Sequence, residues 1–210
     1  MLLALLGSLM GCTTLATLDG ARTLDEGEWQ VAMAGSIQAR QNPVSTATHI
    51  PVPQAEVALR YGLRPYMDIG TRIYLGGLAT DFRYQFHDGD TWDLAVAPGI
   101  GGIALPLPGF QSGVVDVRVP VRAQRDLGSK FSWSGGVTPM ARNTFTFVQG
   151  ELGTGNTGKM DLYLGLSSRL EFHKSIVYVG WSVDWLPQPA YGSPPAFSTG
   201  FDVGLRPRRR

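Results

Sequence analysis

Apolar and polar residues alternate along most of the chain, and the alternation is clearest from residue 54 to residue 76. There Ala55, Val57, Leu59 and Tyr61 take one face, and Glu56, Ala58 and Arg60 the other. Beyond Leu63-Arg64-Pro65 the pattern resumes, with Met67, Ile69, Thr71, Ile73 and Leu75 set against Asp68, Gly70, Arg72 and Tyr74. Period two marks a strand with one apolar and one polar face, so this stretch predicts a hairpin. Upstream, Trp29, Val31, Met33, Gly35 and Ile37 oppose Glu28, Gln30, Ala32, Ser36 and Gln38. Downstream, strands are predicted around Leu78–Phe86, Trp92–Ile100, Val115–Val121, Phe131–Val137, Met160–Leu170, Val177–Trp185 and Phe197–Leu205. The total is about ten, an even number that suits a closed antiparallel barrel.

The connections sort into two kinds. Those near 63–66, 87–91, 125–129 and 172–175 are short. Those at 41–53, 105–112, 140–158 and 187–195 read as long loops, with only Gly76-Gly77 breaking the alternation. Short turns on one side and long loops on the other are a habit of transmembrane barrels. The sequence therefore predicts an all-β fold, a single up-and-down transmembrane β-barrel with both termini on the short-turn, periplasmic side. Residues 28–206 form the barrel, preceded by a tether over 12–27 and followed by a basic tail at 207–210.

On this reading the polar face is the lumen. Its expected lining is Glu56, Arg60, Asp68, Arg72, Asp81, Arg83, Asp116, Arg118, Arg122, Arg169, Glu171 and Asp184. Both signs are present in comparable number, and opposite charges in a narrow bore should pair, because an unpaired buried charge is costly. On the apolar face, Trp29, Tyr61, Phe86, Trp92, Phe131 and Phe172 fall near short turns, and Trp185 near the other side. An aromatic girdle at the membrane interface has that distribution.

Composition narrows the function. The net charge is +1, so no global field recruits nucleic acid. Gly accounts for 27 of 210 residues, nearly twice the ordinary share of about 7%, as a curved sheet with many turns requires. The chain has 1 Cys, which excludes an internal disulfide framework and a multi-Cys metal site. That Cys follows a short apolar run, MLLALLGSLMGC, too short to span a bilayer and similar to a secretory h-region.

Leu9-Met10-Gly11-Cys12 resembles the lipobox of bacterial lipoproteins. The resemblance implies a signal peptide over 1–11, a covalent lipid on Cys12 as the mature N-terminus and, with Thr13 following, export to the outer membrane, anchored in the periplasmic leaflet. ARTLDEGEWQVAMAGS resembles the approach to the first strand of bacterial outer-membrane barrel proteins, and Gly200–Leu205 resembles the C-terminal strand read by their assembly machinery. The partners implied are outer-membrane lipids and that machinery.

Catalytic signals are weak. GTGNTGKM (153–160) follows a phosphate-binding pattern up to Lys159, but Met160 stands where Ser or Thr would hold magnesium, and the stretch reads as a flexible outer loop. His87-Asp88-Gly89-Asp90 has too few oxygen ligands for a calcium loop and reads as a hairpin turn. His49, His87 and His173 sit in connections without a placed nucleophile. No enzyme, cofactor or metal is expected. Three readings stay open: a structural or surface-binding barrel with a salt-bridged lumen, a passive pore for small polar or ionic solutes, and a soluble periplasmic lipid-binding barrel with its faces reversed.

Overall fold

The computed structural model describes residues 19–41, 49–74, 76–107, 110–150, 153–186 and 196–207. Its ladder segments are β1 (Trp29–Gln41), β2 (His49–Arg64), β3 (Met67–Tyr74), β4 (Gly77–Asp88), β5 (Asp93–Val96), β6 (Gly99–Leu107), β7 (Phe110–Arg118), β8 (Val121–Asp126), β9 (Phe131–Gly150), β10 (Gly153–Lys174), β11 (Val177–Leu186) and β12 (Ala196–Leu205). β5 and β6 are one stave interrupted at Ala97-Pro98, and β7 and β8 are another interrupted at Val119-Pro120. Counted as staves, the barrel has 10 strands, as the alternation predicts.

The prolines explain the interruptions. Proline brings no N–H to a ladder, yet its carbonyl still accepts. Phe82 N–H donates to Pro98 O at 2.9 Å, Ala97 N–H to Pro120 O at 2.9 Å, and Pro139 O accepts from Val119 N–H at 3.0 Å. Each stave pairs antiparallel with its neighbours in sequence, and β12 closes on β1 through Val31↔Leu205 to Ala39↔Phe197.

The apolar face points outward. Met33 and Ile73 are each 62% exposed, whereas Asp68 is 0% exposed and Arg83 2%. A water-soluble sheet would bury that apolar face, since leaving a Leu, Ile or Phe in water forgoes about 1.5–3 kcal/mol each. Here the buried side chains are mostly polar or charged and the large apolar ones mostly exposed, so the soluble lipid-binding alternative, which needs the apolar face inward, has its faces the wrong way round.

Three expected loops are strand over their described residues. β2 already starts at His49, inside the loop expected over 41–53. β6 runs to Leu107 and β7 starts at Phe110, which replaces most of 105–112. β9 and β10 continue to Gly150 and from Gly153, so 140–158 is a tall hairpin and GTGNTGKM lies in a strand. Asn143, Thr144, Thr146, Thr154, Asn156, Thr157 and four glycines within 150–158 dilute the apolar–polar alternation, while the backbone ladder between β9 and β10 continues. The expected loop at 187–195 and the expected signal peptide, with Cys12 after it, lie outside the described residues. The rim is therefore uneven. It is low at the β3–β4 turn and high at β9–β10, where, among the described residues, 153–165 pair with β9 alone before β11 joins at Leu166↔Trp185.

Candidate functional site: a charged lumen holding the N-terminal segment

Glu56, Arg60, Asp68, Arg72, Asp81, Arg83, Asp116, Arg122, Arg169, Glu171 and Asp184 are all buried within the barrel, and Arg118 is half-buried with its Nη2 enclosed. Most of them gather into three groups. Near the short-turn end, Asp68 accepts from Arg60 Nη1 at 2.5 Å and from Arg83 Nη2 at 2.5 Å, while Asp81 accepts from Arg60 Nη2 at 2.5 Å. Arg72 joins this group 3.7 Å from Asp81. Across the bore, Arg169 pairs with Asp202 and, at 3.0 Å, with Glu171, which also accepts from Arg206 at 2.6 Å. Higher up, Arg142 Nε and Nη2 fork onto Asp116 at 2.8 and 3.0 Å.

Glycines make room for these side chains. A Cβ on Gly70 would fall inside the Arg60 guanidinium, and one on Gly180 inside that of Arg169. Each arginine lies flat across the neighbouring stave, which needs a residue with no side chain there. The high glycine count thus has a second cause besides curvature.

Sequence reasoning missed a further occupant. Residues 12–27 read as a tether, but from Asp19 the segment lies inside the barrel, with Ala21 0% and Leu24 3% exposed. Asp19 accepts from Arg60 at 3.1 Å and lies 3.6 Å from Arg72, and its carbonyl accepts from Arg122 Nη1 at 2.5 Å. Gly20 O accepts from Arg83 at 2.9 Å. Gln124 Oε1 accepts from Ala21 N–H at 2.9 Å and from Arg22 N–H at 3.3 Å. The Arg22 guanidinium reaches Asp93 and, at 2.7 Å, Asp126. Gln85 Oε1 accepts from Thr23 N–H at 3.0 Å and from its hydroxyl at 3.1 Å, and Asp68 Oδ2 accepts from Leu24 N–H at 3.0 Å. At the mouth, Gly27 N–H donates to Gly62 O at 2.9 Å, and Gly62 N–H to Glu28 O at 3.0 Å.

Asp19 belongs to no spanning strand. Burial pushes its carboxyl up, but the guanidiniums of Arg60, Arg83, Arg72 and Arg122 together outweigh this and hold it well below the usual carboxylate range. The gap beside it, lined by Gln30, Ala32, Ala58, Arg60 and Arg72 among others, measures about 10 Å³, room for about one water. Below that level a cavity of about 320 Å³ opens between Arg22, Asp126, His173, Tyr178 and Arg206 on the short-turn side.

Other residues were missed because the signals that placed them were partial. Arg142 and Asp161 fell in or beside the expected loop at 140–158, while Asp93 and Asp202 sit on the polar face of strands that were recognised. The aromatics lie on the outer surface: Trp29, Phe86, Trp92, Phe131, Phe172 and Trp185 are exposed, and Tyr61 is half-covered by Trp29 with ring centroids 4.5 Å apart. Phe131 and Phe172 pair at 5.1 Å, and Trp133 meets Trp92 edge-on at 5.9 Å. His173 Nδ1 lies 3.8 Å from Glu171. Among the described residues no three His, Cys, Asp or Glu side chains group as a metal site.

The barrel is of the class found in bacterial outer membranes. The chain is similar in fold to Ail, the attachment invasion locus protein of Yersinia pestis, with TM-score 0.50 and 10% identity over 86% of this chain and 99% of that one. It is likewise similar to the translocator domain of the autotransporter NalP from Neisseria meningitidis, with TM-score 0.50 and 10% identity over 96% and 95% of the two chains. A weaker likeness, TM-score 0.45 at 10% identity over 92% and 100%, is to the outer membrane protease OmpT from Escherichia coli. No family model and no curated protein matches the sequence.

Proposed function

We propose that this protein is an outer-membrane barrel of structural or surface-binding type, its lumen closed by its own N-terminal segment. The observation that carries the reading is the seating of Asp19–Leu24 among Arg60, Asp68, Arg83, Gln85, Arg122 and Gln124. A barrel of this size lies near the end of the range that side chains alone can fill. Here ion pairs and a peptide share the task, and about one water's worth of space remains beside Asp19. The outward apolar belt with aromatics near the short turns suits a bilayer, and the fold class suits the outer membrane. The hairpins on the far side, β9–β10 above all, then form the surface presented to the exterior. A lipid on Cys12 and delivery by the outer-membrane assembly machinery complete the reading.

The test is conductance of the purified, heat-modifiable barrel in planar bilayers. The full chain should be silent, while a variant with residues 19–24 excised should pass ions. Steady conductance by the full chain would instead favour the passive pore for small polar or ionic solutes.

A further inference from the structure

The luminal arginines are not all alike. Arg60, Arg72, Arg83, Arg142 and Arg169 each stand beside a carboxylate. Among the described residues, Arg118 and Arg122 have none at ion-pair distance. Arg118 is half-buried, and its enclosed Nη2 has no hydrogen-bond partner. Arg122 is 7% exposed, donates from Nη1 to the Asp19 carbonyl, and leaves Nε without a partner. The nearby carboxylates are already taken. Asp116, two residues from Arg118 and so on the same face, accepts both prongs of the Arg142 fork, and Asp81 takes Arg60 and Arg72.

Arg118 and Arg122 also share a like-charged neighbour. Of the charged groups around each, Arg72 acts on it most strongly. The wall between Arg72 and Arg118 carries no long side chain. Across the ladder Arg72 pairs with Ala79, Ala79 with Gly101 and Gly101 with Asp116, while Gly99 links Asp81 to Arg118. Ile100 faces outward, so Gly99 and Gly101 face the bore. A Cβ on Gly101 would meet Ala79 first, not an arginine. β3 and β7 stand three ladder spacings apart here, roughly 14 Å along the wall at about 4.8 Å each. At the outer end of this bare strip, Tyr74 and Ile103 pack on Ala79.

We infer that this strip is a binding site for a small inorganic oxyanion of the phosphate or sulfate kind, held by Arg118 and Arg72, with Arg122 adding positive charge. A guanidinium offers a planar fork of N–H donors that matches the oxygens of such an ion. A buried cation without a counter-charge is costly, and arginine cannot shed its proton to escape that cost. A bound anion supplies the missing charge and stands between like charges. Arg122 touches Asp19, and Arg118 lies four residues farther from the short turn at 127–130. The site therefore sits on the outer side of Asp19. The inference goes beyond the closed-lumen reading and holds whether or not the full chain conducts.

The test uses the purified full chain in non-ionic detergent near neutral pH. Sodium phosphate replaces sodium chloride at constant ionic strength, and the midpoint of the heat-induced mobility shift is followed. The midpoint should rise with phosphate and level off, and sulfate should act alike. Arg118→Gln should start no lower than the parent, because it removes an uncompensated buried charge, and should lose the rise. Arg64→Gln, at an exposed position at the end of β2, should keep it. The inference is overturned if phosphate leaves the parent's midpoint where chloride does, or if Arg118→Gln retains the rise or Arg64→Gln loses it. A lower starting midpoint in Arg118→Gln overturns it too, since Arg118 would then already have its partner. Equilibrium dialysis of the unsubstituted protein against radiolabelled phosphate reads the site without any variant: saturation at one ion per barrel is expected, and no retained label refutes the site.

Discussion

Gln124 offers the most direct way to loosen the luminal segment without touching it. Its Oε1 accepts from two consecutive backbone amides, Ala21 and Arg22, and it stands on the wall at β8. Gln124→Leu keeps nearly the same volume but removes the acceptor. A buried donor left without a partner costs about 1–3 kcal/mol, and taking about 2 kcal/mol as the net loss raises the undocked population about 30-fold. Planar-bilayer recording reads that population as the frequency of opening. Gln124→Glu restores an acceptor and adds a charge facing Arg22, so it should stay as quiet as the parent. Thermal shifts in gel mobility confirm that both variants hold the barrel. If Gln124→Leu folds and is as silent as the parent, the amide contacts do not hold the segment and the reasoning fails.

Three further outcomes follow from the same geometry. A synthetic peptide of residues 19–28, added to the barrel with residues 19–24 excised, should block its current in a dose-dependent way, while a scrambled peptide should not. Because the Asp19 pKa is depressed in the folded state, its contribution is fully present above the ordinary carboxylate value and is lost only as pH falls through the depressed one; conductance of the full chain should stay closed from neutral pH down to about pH 4, and opening within that window would refute the assigned contacts. Gly180→Val places a side chain where the Arg169 guanidinium lies. It should break the Arg169 pairs with Asp202 and Glu171, leaving Glu171 with Arg206, and lower stability in urea by about 3–5 kcal/mol, and an unchanged unfolding midpoint would contradict it.

What was legible in the sequence depended on lipid. Where one face meets a bilayer, as at Val57, Leu59, Ile69 and Ile73, every second residue must be apolar, and the strands and their polarity can be read directly. Elsewhere the signal fades: β9 and β10 continue to Gly150 and from Gly153 through a stretch rich in Thr, Asn and Gly, residues that read as turn formers. The luminal charges could be placed on a face, but their partners could not, because Arg60 reaches Asp68, Asp81 and Asp19 from three separate stretches of chain. The luminal segment was the hardest to see. DGARTL has no period, since it contacts wall on several sides at once. Its small residues, Gly20, Ala21 and Thr23, fit a narrow bore, a signal that a tether would share.

The glycines opposite the large luminal side chains carry a consequence for how this sequence can drift. Gly70 with Arg60 and Gly180 with Arg169 each divide a fixed volume between two staves. Enlarging one member alone meets a collision, and shrinking the other alone opens a hole and strands a carboxylate. Only exchanges that move bulk and charge together leave the bore intact. Among natural variants, these position pairs should change jointly or not at all, and a library randomised at both positions should yield survivors along a diagonal rather than across the square.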